Sequence, residues 1–169
     1  MRSRLKPVFI VTAGIVPGLI GSQSACPQAL STRHIPAALA LEAVSEAVAA
    51  CEKQGYAETA AVVDADGVRQ AVLRGDRAGP HTLDSAFEKA YTSASFKSDT
   101  GALVERAKTS AALSSLLAKL PNTVQAGGGL VIKIDDEVVG AIGASGAPGA
   151  DLDDACARAG LDKIRDRLK

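Results

Sequence analysis

The stretch "ETAAVVDADGVRQAVLRGD", residues 58–76, sets two short Ala-, Val- and Leu-bearing runs on either side of Asp-Ala-Asp-Gly. Asp64 and Asp66 can bond nearby backbone, and Gly67 can take a positive φ without a Cβ penalty, so the stretch predicts a β-hairpin. A second hairpin is predicted downstream. There "GLVIKI" (129–134) is followed by a polar turn at Asp135 to Glu137 and then by "VVGAIGASGA" (138–147). Hairpins pair antiparallel, which places the chain in the α+β class: an antiparallel sheet built from two hairpins, with helices packed on it. There is no strand, helix, strand unit that would make a parallel nucleotide-binding sheet. No sequence repeat relates the two hairpin halves.

Four helical patterns flank the hairpins. Ala37, Leu41, Val44, Val48 and Cys51 fall on one apolar stripe, and Gly55 supplies a stop. In "AGPHTLDSAFEKAYTSASF" (78–96), Thr82 reads as the N-cap and Asp84 sits in the first turn, where the helix dipole favours a negative charge. Leu83, Phe87, Ala90 and Ala94 make its apolar face, with His81, Ser85, Lys89, Thr92 and Phe96 opposite. A third helix is expected from about Gly101 to Leu120, capped by Thr100, stopped by Pro121 and turning Leu103, Ala107, Leu113, Leu117 and Leu120 inward. The last begins near Asp151 and carries Leu152, Cys156, Ala159 and Ile164 inward.

The 169 residues are 47% apolar, which fits one globular domain, but with three Phe, two Tyr and no Trp the core must be mainly aliphatic. So few aromatics make base stacking on nucleic acid a poor reading. Charges balance at 19 basic and 19 acidic, leaving no electrostatic footprint for a phosphate backbone. Arg2, Arg4 and Lys6 precede an apolar run from Val8 to Ile20 and then "GSQSAC", which reads as a secretory signal peptide over 1–25. Its length and its Gly14, Pro17 and Gly18 argue against a stable transmembrane segment in the mature protein. Residues 26–36 read as a linker and 37–169 as the domain of a secreted or periplasmic protein. Lipid anchoring through Cys26 is the lesser reading, because Gln23 stands where a lipoprotein signal usually has Leu.

Sites of familiar chemistry are sparse. The glycines at 127–129, 140, 143, 146 and 149 match no phosphate-binding motif, and glycines inside a strand more often mark bulges or close backbone approach. With no C-x-x-C and only His34 and His81, a structural zinc site is disfavoured, and there is no G-x-S-x-G elbow. Cys51 and Cys156 lie on apolar helix faces, either as buried thiols or, in an exported protein, as a disulfide joining the first and last helices.

Taken together, "VVDADGVRQAVLRGDRAGPHTLDSAFEKAYTSASF" and "AGGGLVIKIDDEVVGAIGASGAPGADLDDACARAGLDKI" resemble the GlcG/HbpS family of haem-binding and haem-degradation-associated proteins. The likeness runs from about Leu39 to Leu168. It is most specific from Arg74 to Thr92 and in "GAIGASGA" with the acidic helix start after it. The chain departs from the family pattern at Val131, where Pro is frequent, and at Ala144, where Val is frequent.

The resemblance implies a domain that forms a homo-oligomer and binds haem at or near a subunit interface. On that basis His81 is the leading candidate iron ligand and His34 a second. Arg74 and Lys89 would meet haem propionates, and Thr92 would make a weak or water-mediated axial contact. The bland alternative is that the polar line is the wet side of a surface helix. The expected function is an exported protein that sequesters, delivers or assists degradation of haem, a binding protein rather than a dedicated enzyme. The rival reading is an enzyme or binding protein for a small organic acid of glycolate type, using Arg74, Asp76, His81 and Lys89. Some family members occur with glycolate-utilisation genes, so the resemblance supports haem only in part. A third reading is an assembly or sensory partner without ligand chemistry.

Overall fold

The structure is a computed structural model that describes residues 33–169. The leader expected at 1–25, Cys26 and most of the 26–36 linker lie outside the described residues. In chain order the elements are α1 (Ala37–Glu52), β1 (Thr59–Asp64), β2 (Arg69–Arg74), α2 (Thr82–Phe96), α3 (Thr100–Lys108), α4 (Ala111–Lys119), β3 (Gly129–Ile134), β4 (Glu137–Ser145) and α5 (Ala150–Ile164). A 3₁₀ turn at Arg165–Arg167 follows α5. No helix among the described residues is long and apolar enough to cross a membrane.

Both predicted hairpins form. In the first turn Gly67 takes φ +79°, and Asp64 rather than Asp66 organises the chain: its Oδ1 accepts from the Asp66 and Val68 amides at 3.0 and 2.9 Å. The hairpins join through β1 and β4, giving the antiparallel order β2-β1-β4-β3 with Thr59 opposite Ser145 and Val63 opposite Ala141. β1 and β4 are therefore central, and β2 and β3 are the edges.

Period-two alternation splits the central strands between two cores. On one face Ala60, Val62, Ile132, Ile142 and Ala144 pack against α1 and α5 through Val44, Val48, Leu161 and Ile164. On the other, Ala61, Val63 and Ala141 meet Ala86, Phe87, Ala90 and Ala94 of α2. Cys51 and Cys156 form a disulfide between α1 and α5, with Cα atoms 5.6 Å apart. This closes the alternative that the sequence left open.

Three helix expectations are corrected. On α1 the buried stripe is rotated from the expected one: Leu41 is 58% exposed, while Leu39, Ala40, Ala43 and Ala47 are buried. Alanines there let α5 come close, so that a Cβ on Gly160 would strike the Ala43 carbonyl. The single helix expected over 101–120 is two. It breaks at Thr109 and Ser110, where the Ser110 side chain accepts from the Leu113 amide at 3.3 Å and starts α4 as its N-cap. On α5 the buried side includes Asp153, Ala157, Gly160 and Leu161 besides Cys156 and Ile164, while Leu152 and Ala159 are half-buried.

Candidate functional site

Helix α2 carries Lys89 and Thr92 of the sequence-selected residues, with His81 at its start, and half of its buried residues are polar. Thr82, Lys89, Thr92 and Ser93 are buried alongside Ala86, Ala90 and Ala94, whereas Leu83 is 39% exposed. The reason is proximity. Gly143 of β4 lies so near the helix that a Cβ there would fall 2.6 Å from the Ala90 amide nitrogen. Large apolar side chains do not fit such a contact, so short polar groups fill the flanks. Close backbone approach is thus what the strand glycine serves here.

Those polar groups pin α2 along its length. Thr82 opens the helix rather than capping it, its hydroxyl donating to the Gly79 carbonyl and lying 2.6 Å from the Thr59 hydroxyl. His81 occupies the cap position without a side-chain cap bond and is exposed, its ring against Gly79. Ser85 donates to Ser145 at 2.7 Å. Lys89 Nζ donates to the Ala144 carbonyl at 3.0 Å and forms an ion pair with Asp153 of α5, both side chains being over nine-tenths buried. Thr92 Oγ1 accepts from the Val124 amide at 3.0 Å.

Beside this pair lies a residue that no sequence motif marks. Glu58, just before β1, is fully buried, with Oε2 3.3 Å from Cys51 Sγ and Oε1 without a hydrogen-bond partner among the described residues. Burial first, and then the neighbouring Asp153 carboxylate, push its acid group up to about 8, against the pull of Lys89. Glu58 therefore holds its proton to higher pH than an ordinary glutamate does. Asp153 accepts the Ala147 amide, and Asp154 accepts the Gly128 amide at 2.6 Å. Burial also raises the Asp154 acid group above its ordinary value. The "acidic helix start" thus ties the glycine-rich loop and the end of β4 to α5.

The remaining candidates lie elsewhere. Arg74 is exposed at the end of edge strand β2, and His34 is exposed ahead of α1. Asp76 is exposed in a cavity of about 300 Å³ shared with Glu52, Tyr56 and Arg77. Lys89 therefore faces Asp153 across the fold, and the group Arg74, Asp76, His81 and Lys89 does not converge on one cavity. A more apolar cavity, about 170 Å³, opens beside the C-terminal end of α2 between Tyr91, Ser95, Phe96, Leu120, Pro121 and Thr123.

The family model described as haem degrading protein HbpS-like matches residues 35–162. The chain belongs to the HbpS-like family. Among solved structures, this HbpS-like chain is similar to HbpS at 36% identity and a TM-score of 0.74, over 80% of this chain and 93% of that one. It shares the fold of Klebsiella pneumoniae protein ORFY at 24% identity and a TM-score of 0.77, over 83% of this chain and 97% of that one. It also shares the fold of PduOC, solved as a haem complex, at 24% identity and a TM-score of 0.72, over 78% of this chain and 96% of that one. No curated protein matches the chain.

The donor set of this HbpS-like chain fits a haem iron, which needs only one protein bond. Imidazoles stand at His34 and His81 and phenols at Tyr56 and Tyr91, while the Cys51 and Cys156 thiols are joined to each other. No cluster of three or more metal-binding side chains exists among the described residues.

Proposed function

We propose that this HbpS-like protein binds haem outside the cytoplasm, as one copy in a homo-oligomer, and sequesters it, delivers it or assists its degradation. The observation that carries the reading is the match of residues 35–162 to a family described by haem degradation. The α1–α5 disulfide supports export, because such bonds persist in oxidising compartments, and the basic-then-apolar leader of the sequence agrees.

Binding of this kind asks three things of the chain. An apolar surface must cover part of the macrocycle, a nitrogen or oxygen donor must reach the iron, and cations must meet the propionates. His81, His34 and Arg74, the donors and the cation singled out in the sequence, are exposed, and Tyr56 and Tyr91 add two half-buried phenols to the set of donors. Lys89 and Thr92 are held inside the fold, so in the free chain they act through the position of α2. The small-acid reading gains no support from the geometry, since the ammonium it needs is paired with Asp153.

A haemin titration of the purified protein followed by absorbance tests the proposal. A saturable shift of the Soret band is expected. A spectrum that only sums free haemin and protein at every ratio would overturn it.

A further inference from the structure

We infer that Tyr91 supplies the bond to haem iron, from a slot formed by the last turns of α2 and the chain that follows α4. The inference rests on the haem reading and adds to it the donor and the face.

Tyr91 stands where ring placement and apolar surface coincide. Its ring packs on the hairpin turn at Gly67, where a Cβ would come within 2.8 Å of Cδ2 and Cε2. It also meets the Phe87 ring, tilted against it with centroids 5.7 Å apart. The ring is thereby positioned by glycine and by an aromatic neighbour, while its phenol oxygen makes no hydrogen bond to any described residue. A tyrosine hydroxyl that the fold itself does not use is open to a ligand.

The surroundings suit a flat apolar molecule with acidic edges. Phe96, Leu120 and Pro121 line the cavity with Tyr91. Leu116, one turn before Leu120, is 46% exposed, and Leu120 is 41% exposed, so the apolar surface continues beyond the cavity mouth. Lys97 follows Phe96 and Lys119 precedes Leu120 in the chain, and both are exposed cations of the kind propionates pair with. At about 170 Å³ the cavity is smaller than sites that enclose a whole ligand, so it takes one part of the macrocycle and leaves the rest outside.

Tyr56, the other phenol, lines a cavity whose remaining walls are Glu52, Gly55, Asp76 and Arg77, which offers no apolar cover. His81 lies on the exposed corner at the opposite end of α2. Ferric iron exchanges a bound water for the phenolate oxygen, and the phenol proton leaves to solvent. No electron is transferred, so no oxidant or reductant is needed.

Haemin titrations of the wild-type protein, Tyr91→Phe, Leu120→Glu and His81→Ala, each with a resonance Raman spectrum of the ferric complex, test the assignment. The wild type is expected to show phenolate-to-iron bands. Tyr91→Phe should lose those bands and bind haemin at least tenfold more weakly, Leu120→Glu should weaken binding with the bands retained, and His81→Ala should change neither. Haemin bound by the wild type without phenolate bands, or by Tyr91→Phe with an unchanged spectrum and affinity, would overturn the Tyr91 assignment and leave the haem reading standing. Loss of the wild-type spectrum in His81→Ala would move the ligand to that imidazole. No saturable binding by the wild type would sink both readings.

Discussion

The two faces of the sheet are held by different means. Against α1 and α5 the contact is aliphatic: Val44, Val48, Ile132, Ile142, Leu161 and Ile164 interlock, and the Cys51–Cys156 bond ties the two helices. Against α2 the apolar contact is mainly alanine with one Phe, and the helix is placed by Thr82, Ser85, Lys89 and Thr92. The first face gains most from area removed from water, which is large but indifferent to small rotations. The second face gains less area and more direction, because each polar pin works in one geometry only. A helix fixed in this way can present its outer side chains in a set orientation.

The sharpest way to break the contrast is to remove one partner of the buried pair. Lys89→Ala leaves Asp153 as an uncompensated buried charge and is expected to cost about 3–5 kcal/mol in denaturant unfolding. The double variant Lys89→Met with Asp153→Leu should recover much of that loss, because no unpaired charge remains. A single variant as stable as the wild type would show that α2 is not held by this pair.

On the other face, reducing the disulfide, or replacing both cysteines by Ala, is expected to cost about 2–5 kcal/mol, read as a lower unfolding midpoint. The haemin affinity should hold, since no slot residue belongs to that core. A smaller dependence follows from Glu58. Its acid group is raised from an ordinary 4.5 to about 8, so between those values the folded chain keeps a proton that the unfolded chain has released. This contribution is fully present below about pH 4.5, falls by roughly 1.4 kcal/mol per pH unit at most as pH rises, and is gone above about 8. The groups facing Glu58 are Asp153, Lys89, the Ala147 amide and Cys51. Unfolding free energies of the wild type and Glu58→Gln from pH 5 to 9 check this: the loss of stability with rising pH should be shallower in the variant. The smallest effect belongs to the surface, where the Arg69 guanidinium lies 3.5 Å from the Phe87 ring centre. Arg69→Gln should cost no more than about 1 kcal/mol in the same assay.

The hairpins were legible because Asp64 and Gly67 mark a turn and because polar Asp135 to Glu137 separates two apolar runs. The pairing of β1 with β4 was not, since no local pattern says which strands of two hairpins meet. The apolar stripes of α1 and α2 were misjudged for one shared reason: a helix that comes very close buries Ala, Ser and Thr and leaves residues such as Leu41 and Leu83 outside. Lys89 and Thr92 were singled out as polar, but their burial depends on Asp153 and Val124, 64 and 32 residues away. Glu58 carries no local signal, because its burial depends on Asp153, Lys89 and Cys51, none of them near it in a local motif. Tyr91 is not marked by any motif, because its surroundings are the Gly67 turn and the chain after α4, neither of which is a neighbour in sequence.

The α1–α5 face keeps the fold and, as proposed, the outer end of α2 meets haem. Amide hydrogen exchange of the purified protein, with and without saturating haemin, tests this most directly. Slowed exchange should be confined to peptides covering 91–97 and 116–124. Protection concentrated instead in α1 and α5, with those peptides unchanged, would contradict it.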